Sequence, residues 1–505
     1  MRKKNNALKP IVISKDIVNG DGKVEEEPLS PSARLFHEPE FNVYVIAILG
    51  WKTRIDPQLV KANLPHTLLK HPRISSLQVL DEKGMMRWVP TKVDMDKHII
   101  VPEVDPDMAS PEGFIEDYIF NLTKTKIDMS KPLWDIHMLN VKTSEGDTVV
   151  LFRAHHSLGD GTSLVSLLLA CTRKISDPTS VPTIPSTKKR TSVGSGGLWK
   201  FLIGFGLGLR MLCNTVIDVL LFLATVLFLK DTETPLRGSL EDASTPRRIV
   251  HRAVSLEDMK LVKNGINGTI NDVALGMTQA GLSRYLNKRY GDRNDRNKSA
   301  IKKKNENNLP PNIRLRSTIL FNLRPSPKIQ DLANMMEKES ETVNWGNQIG
   351  YVLLPFKIAL KDDPIDYVLE AKATIDRKKN SFEALYTFSI SELILKVFGI
   401  KAASAISHRI LAHTTMCFSN LAGPMEEIGF CGHPMTYLAP TSYGQPHALM
   451  INFQSYMNQM RIVVSVEEKA VPDPHRLLDE IQESLQLIKN SVLAKGLAKP
   501  LSSFE

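Results

Sequence analysis

The spacing of apolar and polar residues along the chain marks out two globular stretches, with polar or connecting ones before, between and within them. Residues 1–27 are polar, and Arg2-Lys3-Lys4 is followed by no apolar run of the kind a secretory signal needs. From Pro28 the pattern becomes globular. Phe41 to Leu49 (FNVYVIAIL) is β-branched and aromatic and closes at Gly50, which predicts a strand. Leu59 to Leu69 has helical spacing, broken by His71-Pro72-Arg73. Further strands are predicted at Trp88–Val93, His98–Val101, Trp134–Val141 and Thr148–Ala154, and an amphipathic helix over 111–126. Residues 173–197 are rich in Ser, Thr, Pro, Gly and Lys, a linker composition containing Lys188-Lys189-Arg190. Leu198 to Leu229 is the most apolar stretch, interrupted by Lys200, Arg210, Asn214 and Asp218. A second globular region starts near Ile249 and reaches about Asn490. Within it, the basic and Asn-rich residues 287–308 predict an exposed loop. Interleaved strands and helices of this kind predict layered α/β or α+β domains.

Composition narrows the class. At 505 residues, 42% hydrophobic and 24% charged, the chain has material for two or three domains of about 100–200 residues each. It is too apolar for a disordered protein and lacks collagen or heptad periodicity. Cys171, Cys213, Cys417 and Cys431 form no CxxC pair, which argues against a disulfide scaffold or a Cys-based zinc module and for a reducing compartment. The net charge of +9 admits a nucleic acid, an anionic membrane or an anionic small molecule. The insertion at 287–308 has little aromatic interleaving, which argues against nucleic acid.

The residues richest in chemistry are His155-His156-Ser157-Leu158-Gly159-Asp160-Gly161. They follow the apolar run Val149–Phe152 and precede Ser163–Cys171, which has helical composition. A strand that ends in polar groups, turns through two glycines and feeds a helix places those groups at a sheet edge, where ligands commonly sit. Imidazole titrates near pH ~6.5 and accepts a proton from an alcohol or thiol at neutral pH. Asp160 fixes the turn or anchors a nearby cation, and Gly159 and Gly161 permit backbone angles a Cβ opposes. A polar strand end satisfied by local hydrogen bonds is the plain alternative. A two-His, one-carboxylate metal site is disfavoured, because adjacent strand residues point to opposite faces.

The sequence resembles the plant wax ester synthase/diacylglycerol acyltransferase family. HHxxxDG at His155–Gly161 is an active-site motif of CoA-dependent acyltransferases. The likeness runs from Pro28 to about Lys489, through Leu29–Phe36, His71–Ser76, Pro132-Leu133-Trp134 and Asn271-Asp272-Val273. It continues in Asn322-Leu323-Arg324-Pro325, Gly346-Asn347, Ser419–Pro424 and Gly432-His433-Pro434. The DFGWG element of plant acyltransferases acting on alkaloids and phenolics does not occur, which points to lipid alcohols over soluble acceptors. A BAHD-like enzyme with a soluble acceptor is the runner-up. A non-catalytic lipid-binding or scaffold protein of the same fold is the alternative from another class.

The resemblance implies two α/β domains of the chloramphenicol-acetyltransferase type, with the active-site tunnel at their interface. Expected boundaries are 28–190 and 246–495, joined by 191–245. It implies acyl transfer from acyl-CoA, a co-substrate, to a long-chain alcohol or diacylglycerol, with no bound cofactor and no metal. His156 is then the general base, with His155, Asp160 and Gly161 completing the motif and His155 expected to face away and pack. Asn271 is a candidate oxyanion donor or helix cap, and Ser419 and Asn420 are candidates to line the acyl or CoA site. Arg324 is a candidate partner for Asp160. No GxSxG accompanies the site, so no covalent acyl-enzyme is expected. The apolar stretch is expected to associate with a membrane, as a marginal span or a helix lying in the interface; a crossover helix buried between the two domains is the alternative. The expected location is the endoplasmic reticulum membrane, with a plasma-membrane pool beside it.

Overall fold

The computed structural model describes residues 27–105, 107–185, 197–238, 245–295, 307–323, 328–338, 345 and 349–498. The fold is mixed α/β and forms two compact units, neither of them one continuous stretch. The first holds the chain up to Ile184 with Asn322–Gln348 and Gly423–Gln445. The second holds Pro185–Phe321, Ile349–Ala422 and the residues from Pro446 onward.

The first unit is built on a seven-stranded sheet. Its order is Ile99–Ile100, Trp134–Leu139, Thr148–His155, Tyr44–Trp51, His433–Tyr443, Ile428–Phe430, Arg173–Lys174. Tyr44–Trp51 lies near the middle and is buried at every position, which explains its unbroken apolar run. Thr148–His155 pairs antiparallel with it, Tyr44 opposite His155 and Trp51 opposite Thr148. On its other side it pairs with Trp134–Leu139, Asp135 opposite Arg153.

The two-residue period of that strand sorts its side chains. Val150 and Phe152 face one way, with Leu49, Ile136 and Met138 from the neighbouring strands. Together with Leu64, Leu168 and Leu169 they line an apolar cavity. Arg153 and His155 face the other way. The Arg153 guanidinium donates to both Asp135 oxygens, at 2.9 and 2.6 Å, and to Leu122 O, Thr125 O and Thr125 Oγ1.

The second unit carries a six-stranded sheet ordered Ile349–Lys357, Arg314–Asn322, Met416–Leu421, Leu449–Tyr456, Gln459–Glu467, Arg247–Ser255. Met416 and Phe418 join its core with residues of the helices Ile270–Asp295, Ile365–Lys379 and Pro474–Ala494. The apolar connector forms one helix, Gly197–Leu227, through Gly204, Gly206 and Gly208. Arg316 closes its end, donating to Leu229 O at 2.9 Å and His413 O at 3.1 Å while held by Asp231 at 2.6 Å.

Two sequence expectations are corrected. The helix expected over 59–69 is Pro57–Asn63 followed by 3₁₀ turns at Leu64–His66 and Leu68–Lys70, because Pro65 has no N–H to continue the ladder. The loop expected over 287–308 is helical to Asp295. Tyr285 and Leu286 are buried in the core there, and Lys288 and Arg284 pair with Glu480 of the C-terminal helix. Residues 296–306 lie outside the described residues. Cys171 and Cys417 are free thiols that burial pushes up to about 12, too high for either to serve as a thiolate at neutral pH.

Candidate active site

The HHxxxDG residues sit where the Thr148–His155 strand gives way to the helix Gly161–Ala170. The His156 N–H still bonds Val43 O at 2.9 Å, so the strand geometry reaches it. His156 therefore falls on the Val150 and Phe152 face, about 13 Å beyond Phe152 at ~3.3 Å per residue. Its ring is 6% exposed and stacks on Phe36, centroids 4.2 Å apart. Burial lowers its pKa, and the negative charge of Asp160 partly opposes this. The imidazole is thus neutral at pH 7, the form a proton acceptor needs.

His155 lies on the other face of the strand. Its Nε2 lies 3.1 Å from Phe36 O and 3.0 Å from Asn42 Oδ1, and both partners are acceptors. Nε2 must therefore carry the proton and Nδ1 must accept, here from Ser157 Oγ at 2.6 Å. Ser157 in turn accepts from Gln78 Nε2 at 2.9 Å, and Gln78 Oε1 accepts from His37 Nε2 at 2.6 Å. Burial holds His155 well below its usual pKa, and the neighbouring His37 and His156 push the same way. His155 is thus a fixed neutral ring that ties down the backbone of Phe36, the residue packed against His156.

Asp160 is the N-cap of the following helix, accepting from Ser163 N and Thr162 Oγ1, each at 2.7 Å. The glycine argument needs correction. Neither Gly159 nor Gly161 has a positive φ. A Cβ on Gly159 would come within 2.9 Å of the Trp345 ring, whereas one on Gly161 would meet nothing within 4 Å. Gly159 is required by close approach, not by backbone angle. Gly159→Ala should therefore cost about 1–3 kcal/mol and shift Trp345 emission in a urea titration. Gly161→Ala should stay within about 0.5 kcal/mol. Equal effects would remove the packing argument.

Trp345 was not singled out from sequence. Its indole donates to Leu158 O at 2.7 Å, and its ring lies 4.1 Å from His71. His71 is 1% exposed, and among the described residues neither ring nitrogen has a hydrogen-bond partner. Burial and the charge of Arg73 push it down to about 3.

The remaining candidates lie on the second unit. Asn271 is the second residue of the helix Ile270–Asp295, and its Oδ1 accepts from Asn420 Nδ2 at 2.8 Å. Capping falls to Thr269, which exchanges hydrogen bonds with Asp272. Ser419 points to the opposite face of its strand from Asn420 and lies beside Asn452 in register. The structure thus joins Asn271 with Asn420 but not Ser419. Arg324 lies outside the described residues.

Comparison with known proteins shows the family. The wax ester synthase/diacylglycerol acyltransferase (WS/DGAT) catalytic-domain model matches residues 65–274, and the WS/DGAT C-terminal domain model matches 345–489. Wax ester synthase/diacylglycerol acyltransferase 11 of Arabidopsis thaliana is 48% identical over 94% of this chain and 97% of its own. Number 6 of that series is 48% identical over 93% of this chain and 94% of its own. Among solved structures, the WS/DGAT from Marinobacter aquaeolei VT8 aligns over 92% of this chain and 99% of its own, with TM-score 0.56 and 15% identity. The first condensation domain of the calcium-dependent antibiotic synthetase, in complex with a substrate analogue, aligns over 93% and 97%, with TM-score 0.54 and 11% identity. At such identities the structural likeness shows the fold, while the family models and the plant relatives carry the assignment. The chain belongs to the wax ester synthase/diacylglycerol acyltransferase family and is an acyltransferase.

Proposed function

We propose that the enzyme transfers a fatty acyl group from acyl-CoA to the hydroxyl of a long-chain alcohol or of diacylglycerol, with His156 as general base. The observation that carries the reading is a buried, neutral imidazole at a strand end, on the sheet face that also lines a largely apolar cavity. His156 takes the hydroxyl proton as the oxygen bonds to the thioester carbonyl carbon. The carbon–sulfur bond then breaks, and the imidazolium returns the proton to the CoA thiolate. Ser157 is no nucleophile in this scheme, since its hydroxyl is committed to His155 and Gln78. Asn271 is the proposed oxyanion donor: with its carbonyl held by Asn420, its NH₂ is left to donate.

Basic residues within the +9 excess serve the CoA phosphates and an anionic membrane surface in this reading. Acceptors of this kind reside in bilayers, and we extend the proposal to the location that the family resemblance implies, the endoplasmic reticulum membrane with a plasma-membrane pool. An acceptor screen tests the proposal. Purified enzyme with labelled palmitoyl-CoA should yield ester from hexadecanol or diacylglycerol and little from a phenolic alcohol. Product from the phenolic alone would overturn the lipid acceptor, and no product from any of them would overturn the catalytic reading.

A further inference from the structure

We propose that the outer face of the connector helix Gly197–Leu227, together with the apolar tip of the helix Glu383–Ala412, seats the enzyme in the headgroup region of an anionic bilayer, the connector lying in the membrane plane and not crossing it. This rests on the membrane reading above and specifies its surface.

By length and composition the connector is able to cross. Gly204–Leu227 is 24 residues with mean hydropathy 1.8, beyond the ~20 residues a bilayer requires. Asn214, Thr215 and Asp218 decide otherwise, because they form one stripe and each is used within the second unit. Asn214 donates to Asn380 O at 3.0 Å, and Thr215 accepts from Phe382 N at 3.0 Å. One turn on, Asp218 is fully buried and accepts from Arg377 at 2.7 Å and Lys378 at 2.9 Å. Lys378 is also held by Glu383 at 2.6 Å. Phe222, 2% exposed, packs with Tyr351, Leu353 and Ile410, and Leu227 O accepts from Arg409 at 2.6 Å. A crossing helix would have to abandon this stripe and carry Asp218 into hydrocarbon without its cations.

The opposite side of the same helix is apolar and uncovered. Leu209, Leu212, Val216, Ile217, Leu220 and Leu223 are each 41–60% exposed. The helix Glu383–Ala412 adds a second apolar element where it kinks at Gly399, whose φ is 78°. Leu393, Val397 and Phe398 at that kink are 60%, 61% and 71% exposed, and a Cβ on Gly399 would meet no atom within 4 Å.

Charge selects the occupant. Arg210, Lys230, Lys396 and Lys401 are exposed on or beside these helices. The acidic residues of the two helices are Asp218 and Glu383, both buried, and Glu392, which pairs with Lys396 at 3.2 Å. Apolar side chains fringed by an excess of cations match an anionic lipid surface, with the apolar face sunk ~5–10 Å.

The test uses the full chain. Flotation with phosphatidylcholine vesicles containing phosphatidylserine should recover most of the protein, and vesicles without phosphatidylserine should recover several-fold less. The triple variant L220D/V397D/F398D should lose flotation at least tenfold while keeping wild-type transfer in detergent micelles. Protease added to sealed microsomes should digest tags at both chain ends. Protection of one end would establish crossing and overturn the proposal. A variant that floats normally would also overturn it, as would one that only turns a dimer into a monomer. Loss of transfer with every acceptor, with flotation as expected, would strike the catalytic reading and leave the surface standing.

Discussion

His156→Ala should lower kcat by about 10²–10⁴-fold, the usual contribution of a positioned general base, with little change in KM for acyl-CoA. Ser157 is engaged with His155, and His155 is locked with its proton toward Phe36 and Asn42. The pH profile supplies the second readout. Protonation removes the base, and burial lowers the His156 pKa, so the acid limb of kcat/KM lies below the ordinary imidazole value of ~6.5. An acid limb above that value would exclude His156 as its source. Transfer by the alanine variant at the wild-type rate would end the proposed mechanism. His155→Ala should also slow transfer, but indirectly, by freeing Phe36. His155→Asn, which can still donate to Phe36 O, should recover part of the rate.

Arg153→Ala should destabilise the protein by roughly 3–5 kcal/mol, the cost of leaving a buried charge without its partner. Arg153 and Asp135 side chains are 5% and 4% exposed and face each other across paired strands. Burial alone would raise the Asp135 pKa, but hydrogen bonds from His137 and Arg153 outweigh it and hold the carboxyl below its usual range. A depressed carboxylate pKa stabilises the fold above the unfolded value of ~3.9, and that stability fades as pH falls below it. The double substitution Arg153→Leu with Asp135→Leu removes both charges and should regain much of the loss. Urea midpoints of the three proteins decide the matter. A double variant no more stable than Arg153→Ala would show that the loss is packing, not an orphaned carboxylate.

Strand, turn and helix around His156 were legible because each has a local cause. The apolar run, the period of two and an Asp ahead of a helical segment all lie within about twenty residues. The groups that set the state of His156 were not. Phe36 reaches it across 119 positions through His155, and Trp345 meets Leu158 across 187. Such contacts arise from sheet order, which no local pattern encodes. The same limit applies to the basic stretch after Asn287. Its composition is that of a loop, yet Glu480 on a distant helix draws its first turns into regular structure. Asp218 shows the converse case. In the sequence it is a flaw in an apolar run, and in the fold it is the residue that keeps the run against the protein.

The strand His433–Tyr443 lies in register against Tyr44–Trp51, in the sheet that carries His156. During synthesis the ribosome releases the first of these strands long before the second. At ~5–20 residues per second the interval between His155 and His433 lasts roughly 15–60 s. Throughout it, Tyr44–Trp51 has an unpaired, wholly apolar edge, the kind that recruits foreign strands. The half of the enzyme that holds His156 is begun first and closed late, so a nascent chain stalled before residue 433 is a candidate for chaperone capture or aggregation.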